Sequence, residues 1–289
     1  MSWRTVVISS RCKLDCKMGF MVVRGEETKK VFLDDIAVVI IENPAVALTG
    51  CLLEALAEKK IRVIFCDSKR NPQSELVPYY GCYDSTRKIK AQTEWGDSVK
   101  GAVWAEIVSE KIRKQAEFLP ELNCTKEAAL LGSYLPQVEF HDATNREAHA
   151  AKVYFNALFG MDFSRSEENV TNAALNYGYG IVLSAFNREI VSEGYLTQLG
   201  IFHDNMFIHY NLSCDLMEPF RIIVDRAVKR YDFQSFSSEE KHLMVDILNN
   251  KVTIKRTKQT VLNAIKIYCR SIFEAMNSGD ISAISLLFR

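Results

Sequence analysis

Short runs of β-branched and aromatic residues dominate the first third of the chain, at Thr5–Ser9, Met18–Arg24, Lys30–Ile36, Ala37–Glu42 and Arg62–Asp67. Each has the length and residue type of a strand; Gly25–Glu27 sits between two of them as a hairpin turn, and Pro44 ends the fourth. Between Thr49 and Lys60, Leu52, Leu53, Leu56 and Ala57 recur at helical spacing, which predicts one helix before the last strand. The pattern breaks from Asn71 to Trp95, where two prolines, a glycine and three tyrosines read as a linker. Beyond it the period is helical, over Asp97–Leu119, Asn145–Leu158, Ser166–Glu193, Cys214–Arg230, Glu239–Leu248 and Gln259–Met276. Ser237 and Glu240 fit a capping box for the fifth of these. The expected architecture is α+β: a mainly antiparallel β-domain with one helix at 1–75, a linker at 76–95 and a larger all-α domain at 96–289.

The strand-helix-strand order from Ala37 to Asp67 also matches a βαβ unit of a nucleotide-binding fold. That fold wants a G-x-G-x-x-G turn, and the connection NPAVALTG holds one glycine, so a nucleotide-dependent oxidoreductase or transferase is the weakest functional class. With 48% hydrophobic and 25% charged residues the chain is globular and expected to be ordered nearly throughout. Its 36 basic and 36 acidic residues cancel, so a polyanion has to meet a local patch. Three clusters qualify: Arg87, Lys88 and Lys90; Lys111, Arg113 and Lys114; and Lys251, Lys255, Arg256 and Lys258. The plain alternative for each is a solvated face. Eight cysteines without a CxxC pair fit a reduced compartment, and Cys12 and Cys16 lack the second pair that a zinc site needs. No signal-peptide core opens the chain and no apolar run of about 18 residues could span a membrane, so a cytoplasmic protein is expected.

Chemistry concentrates in two segments. In Gly200–Asp225, GIFHDNMFIHYNLSCDLMEPFRIIVD, the residues His203, Asp215 and Glu218 enter an otherwise apolar run. A buried carboxylate is costly unless it is paired, hydrogen-bonded or bound to a cation. In Asn145–Phe155, NREAHAAKVYF, Glu147 shares a helical face with Ala150, Ala151, Tyr154 and Leu158. Blander readings stay open. Glu147 in a first turn complements the helix dipole. Glu218, before Pro219, either caps the following helix or sits in the kink of one running through from Ser213, and Arg221 and Asp225 would complete a charge ladder with it. His209 competes with His203. Two carboxylates and an imidazole are a ligand mix for Mg²⁺ or Mn²⁺, which suits phosphoryl chemistry without a serine or cysteine nucleophile. Gly178 and Gly180 in YGYGIVLS lack the rest of a phosphate loop and are expected to serve close helix packing.

NREAHAAKVYF, ALNYGYGIVLSAFNREI at Ala174–Ile190, LGIFH at Leu199–His203 and DLMEPFR at Asp215–Arg221, in this order and spacing, resemble the CRISPR-associated integrase of spacer acquisition. This is the first protein of the adaptation module, and the resemblance covers almost the entire chain. It looks most similar to members from type II systems, which accompany single-protein RNA-guided effector nucleases. Ala148 and Ile222 stand where many relatives have glycine and proline, and neither change removes a ligand.

The resemblance implies a metal-dependent DNA endonuclease and integrase. Glu147, His203 and Glu218 would hold Mg²⁺ or Mn²⁺ and carry the reaction, with Asp215 in support. In that reaction the 3′-hydroxyl of a short captured DNA attacks a phosphodiester at the edge of the repeat array. The resemblance also implies double-stranded DNA as a partner, a homodimer, a small second adaptation protein bridging two dimers, and the effector nuclease of the same system. From the residues alone, a non-catalytic nucleic-acid scaffold with structural acids and histidine is the alternative.

Overall fold

The computed structural model describes residues 4–68, 70–76, 78 and 82–287. Tyr79, Tyr80 and Gly81 of the expected linker lie outside the described residues. The strand-rich part runs β1 (Arg4–Ile8), β2 (Lys13–Lys17), β3 (Phe20–Arg24), β4 (Thr28–Phe32), β5 (Ile36–Ile41), β6 (Ala47–Leu48), α1 (Gly50–Glu58), β7 (Arg62–Cys66) and β8 (Pro72–Leu76). These strands form two sheets, ordered β1-β5-β7-β8 and β4-β3-β2-β6. In the second, β2, β3 and β4 pair antiparallel, and the predicted turn at Gly25–Glu27 joins β3 to β4. In the first, β1, β5 and β7 run parallel and only β8 is antiparallel. The order β5-α1-β7 is therefore a parallel crossover. Its helix starts on the side chain of Thr49, which accepts the Leu52 N–H at 3.4 Å, and no glycine-rich turn is present.

Every residue of β5 is buried, because the strand has a core on each face. Ile36, Val39 and Ile41 pack with Leu14, Met21, Leu33, Leu52 and Leu56. Ala37, Val38 and Ile40 join the larger core of the helical part. β2 is hidden in the sequence behind its charged residues, with Leu14 as its one fully buried position. β8 and the helix α2 (Ser85–Thr93) occupy parts of the stretch whose prolines and polar residues read as a linker.

The helical part continues with α3 (Asp97–Phe118), α4 (Thr125–Tyr134), α5 (Arg146–Phe159), α6 (Val170–Ser192), α7 (Asn211–Met217), α8 (Arg221–Tyr231) and α9 (Ser238–Asp246). A hairpin, β9 (Lys251–Ile254) and β10 (Thr257–Thr260), interrupts it before α10 (Val261–Ser278). α6 is buried over most of its surface, with α7, α8, α9 and α10 packed against it. A Cβ at Gly178 would sit 2.5 Å from Met244 Cε and Val224 Cγ1, so the close packing expected of this glycine is present. At Gly180 the nearest atom is Pro72 Cγ of β8, at an ordinary 3.8 Å. The capping box of Ser237 and Glu240 is formed at the start of α9. No helix among the described residues is long and apolar enough to cross a membrane.

Candidate metal and catalytic site

Four helical elements converge on one cluster of charge. α5 begins with Asn145 in the left-handed region, and its first amides are held by Asp142, whose carboxylate accepts the N–H groups of Arg146 at 2.8 Å and Glu147 at 2.9 Å. That contact fixes Glu147 in the first turn, leaving its side chain to point at α3. There Lys111 Nζ lies 2.6 Å from Glu147 Oε1 and 2.6 Å from Glu218 Oε2. One ammonium therefore joins two carboxylates from distant parts of the sequence.

Glu218 sits in a single 3-10 turn, Glu218–Phe220, which carries α7 directly into α8. Of the two backbone readings, the kinked continuous helix is the one formed, with Pro219 in the first turn after the break. The Glu218 side chain is 4% exposed, and Arg221 Nε donates to both of its oxygens at 2.9 Å. Burial opposes ionisation of this carboxyl, but Arg221 and Lys111 outweigh burial and hold it down at about 2. Asp225 is not the third rung of a ladder. Its buried carboxylate takes the hydroxyls of Tyr154 at 3.0 Å and of Tyr179, and the guanidinium of Arg221 stacks over the Tyr179 ring at 4.7 Å.

His203 is set by the loop that precedes α7. Asp215, fully buried, accepts the backbone N–H groups of Ile201 at 2.6 Å, Phe202 at 3.1 Å and His203 at 3.1 Å, and its Oδ1 lies 2.5 Å from His203 Nδ1. Trp104 of α3 stacks on Phe202 at 4.5 Å and meets the His203 ring edge-on at 5.8 Å. The Asp215 contact raises the imidazole above its ordinary value; burial works against this, and the charges of Asp215, Glu218 and Glu147 add to it. His209 lies on an exposed stretch, where its backbone carbonyl accepts the Thr197 hydroxyl.

The donor set suits a hard divalent cation. Two carboxylates already share one positive charge, and a histidine whose Nδ1 is held by a carboxylate presents Nε2 outward, the arrangement found around metal-bound imidazoles. Among the described residues no three His, Cys, Asp or Glu side chains close into a ready cage. Lys111 occupies the space between the two glutamates. Sequence reasoning placed Lys111 in a basic surface cluster, and the structure corrects this. Lys111 pairs with both glutamates, Arg113 pairs with Glu110, and Lys114 lies 2.6 Å from Glu117. Asp142 was also missed, and only its position before NREA hinted at a cap.

A family model described as CRISPR associated protein Cas1 matches residues 5–241. The chain is 34% identical over 271 residues to the CRISPR-associated endonuclease Cas1 of Neisseria meningitidis serogroup C (strain 8013), which covers 92% of this chain and 89% of that protein. Among solved structures, a casposase bound to integration product has a TM-score of 0.77 at 18% identity, covering 97% of this chain and 92% of that one. A Cas6-RT-Cas1–Cas2 complex has a TM-score of 0.75 at 17% identity; the match covers 97% of this chain and 36% of the larger one. The two structural likenesses establish a shared fold, and the family match together with the sequence identity establishes more: the chain belongs to the Cas1 family of CRISPR-associated proteins.

Proposed function

We propose that this protein is a metal-dependent DNA endonuclease and integrase that inserts short DNA fragments into a CRISPR repeat array. The observation that carries the reading is the meeting of Glu147 and Glu218 on one cation, beside a histidine oriented by Asp215, within a Cas1-family chain. Glu147, His203 and Glu218 would hold Mg²⁺ or Mn²⁺, which supplies polarisation of a phosphodiester and activation of the attacking 3′-hydroxyl. The residues around them have distinct tasks. Asp215 keeps Nδ1 of His203 engaged, which would leave Nε2 as the nitrogen available to the metal. Arg221 fixes the Glu218 carboxylate through both oxygens and keeps it ionised. Asp142 pins the first turn that carries Glu147.

The Cas1–Cas2 content of one structural neighbour and the integration product in another support a second adaptation protein and a nucleic acid as partners, which we take to be double-stranded DNA. We extend the reading to a homodimer bridged by that second protein, acting in the cytoplasm alongside the effector nuclease of the same system.

The test is strand joining by the purified protein with its adaptation partner, a short duplex, a repeat-containing target and Mn²⁺. Glu147→Gln, His203→Ala and Glu218→Gln should each lower joining by at least about 100-fold while the fold is kept, as expected for lost metal ligands. His209→Ala should join at the parental rate, and chelation with EDTA should abolish the reaction. Full joining by a folded Glu218→Gln protein would remove Glu218 from the proposed metal site, whereas a parent that binds duplex DNA, indifferent to Mn²⁺ and without joining it, would leave a non-catalytic DNA scaffold as the reading.

A further inference from the structure

The balanced charge of the chain makes any uncompensated cluster of cations a local departure. Of the three basic clusters in the sequence, the structure neutralises most of two. Arg87 and Lys88 pair with Asp84, and Lys111, Arg113 and Lys114 pair with glutamates. The third cluster is different. Lys251, Lys255, Arg256 and Lys258 are all exposed, and none has an acidic partner among the described residues.

The register of the β9–β10 hairpin gathers these charges. Lys258 lies across from Thr253, so its side chain leaves the same face as Thr253, and therefore the same face as Lys251, two positions before it, while Lys255 and Arg256 form the two-residue turn at the end of the ribbon. The opposite face carries Val252 and Ile254, both buried, and Ile254 bridges to Leu287. Two ammonium groups thus share one solvent face of an anchored ribbon with two more cations at its tip, and like charges so close repel. The tip adds a second cost. Lys255 and Arg256 have φ of 48° and 60°, the left-handed region that Asn-Gly fills most easily in a two-residue hairpin turn. Among the described residues no acidic partner offsets the first cost, and a bound polyanion would offset it directly.

Position supports the same reading. Lys251 lines a cavity of about 600 Å³ of mixed charge, with Arg226 and Arg230 of α8 and the acids Glu117, Glu121 and Asp246; Arg226 pairs with Glu121, and α8 is the helix whose first residue, Arg221, holds Glu218. β9 runs about 10 Å from Lys251 to Ile254 at ~3.3 Å per residue, and the turn carries Lys255 and Arg256 beyond that end. That is the length over which one strand of a duplex presents about three phosphates, at ~3.4 Å of axis each.

We propose that the β9–β10 hairpin is a clamp for the phosphate backbone of duplex DNA, holding it beside the candidate site. The identity of the polyanion rests on the integrase reading above. The experiment uses the full chain. A labelled duplex is titrated across a salt series with the parent and with the K251Q/K255Q/R256Q/K258Q variant. The variant should bind at least about 10-fold more weakly at ~0.1 M salt, and its slope of log affinity against log salt should fall by about 2 to 3, at ~0.9 per lost phosphate contact. Its melting temperature and Mn²⁺ affinity should stay at the parental values. A second variant, K255N/R256G, eases the turn while removing two charges, so it should melt no lower than the parent and lose about half of that slope. Parental affinity and slope in both variants would overturn the clamp. So would retained duplex binding with loss of an RNA or an acidic protein partner instead. A parent that fails to bind duplex DNA would refute the integrase reading itself, an outcome distinct from a parent that binds and variants that bind equally well.

Discussion

One ammonium sets the electrostatics of the candidate site. Lys111 is buried, and although burial disfavours its charge, Glu218 and Glu147 hold its pKa above the ordinary lysine value. Breaking a buried ion pair by removing one partner typically costs about 3–5 kcal/mol, because the other charge is left without compensation. Glu147 keeps some solvent contact and Glu218 keeps Arg221, which puts the expected loss for Lys111→Met near the low end, about 3 kcal/mol in urea denaturation without metal. Mn²⁺ should restore most of that loss, since a divalent cation offsets the same two carboxylates. An equal loss with and without Mn²⁺ would mean that Lys111 is only a packing residue. Acids and a histidine in apolar runs made the two segments legible, while the choice of Glu218 over Asp215 and of His203 over His209 came from the family resemblance. Lys111 was not legible in that way. A lysine beside Arg113 and Lys114 on a long helix looks like ordinary surface, and only the tertiary approach of α5 and of the turn between α7 and α8 gives it two partners.

At the scale of elements, the loop from Gly200 to Asp215 orients the histidine, and it depends on a missing side chain. A Cβ at Gly200 would lie 2.2 Å from the His203 carbonyl oxygen and 2.8 Å from Asp215 Oδ2. The first is backbone and the second is a carboxylate held by three amides, so neither can move aside cheaply. Gly200→Ala should therefore destabilise the fold by about 2 kcal/mol, as overpacking does, and lower strand joining by at least about 10-fold. Gly180→Ala is the contrast: it has room for a Cβ and lies within α6, so it should gain about 0.5–1 kcal/mol and leave joining unchanged. Parental joining by Gly200→Ala would show that the loop adapts. The long helices α3, α5, α6 and α10 were legible from their apolar period. The hairpin before α10 was not. Val252 and Ile254 are its only buried positions, too few for an alternation to stand out against four cations.

Across the whole molecule, a polar chain ties the first sheet to the helices. Arg62 of β7 pairs with Glu75 of β8, Glu75 Oε1 accepts from Asn187 Nδ2 of α6 at 2.8 Å, and Asn187 Oδ1 accepts the hydroxyl of Ser213 in α7. Asp215, two residues on, organises the histidine loop, so the link runs from a sheet edge to the candidate site. The composition shift after the last predicted strand was visible in the sequence, but this link was not, because Arg62 opens a predicted strand and Glu75 falls in the stretch that reads as a linker. Both are nearly fully buried, and burial pushes the Glu75 carboxyl up and the Arg62 guanidinium down from their ordinary values. Glu75→Ala leaves the Arg62 charge buried without its partner, which should cost about 3–5 kcal/mol in urea denaturation. The loss should come with a smaller denaturant slope, because the strand-rich part, with the core its two sheets share, would begin to unfold separately from the helices. A double variant, Arg62→Leu with Glu75→Leu, removes both charges and should recover most of the loss, since replacing a buried pair by apolar residues is often neutral. If Glu75→Ala instead shifts a single transition with an unchanged slope, the link stabilises the sheet locally and does not hold the two parts together.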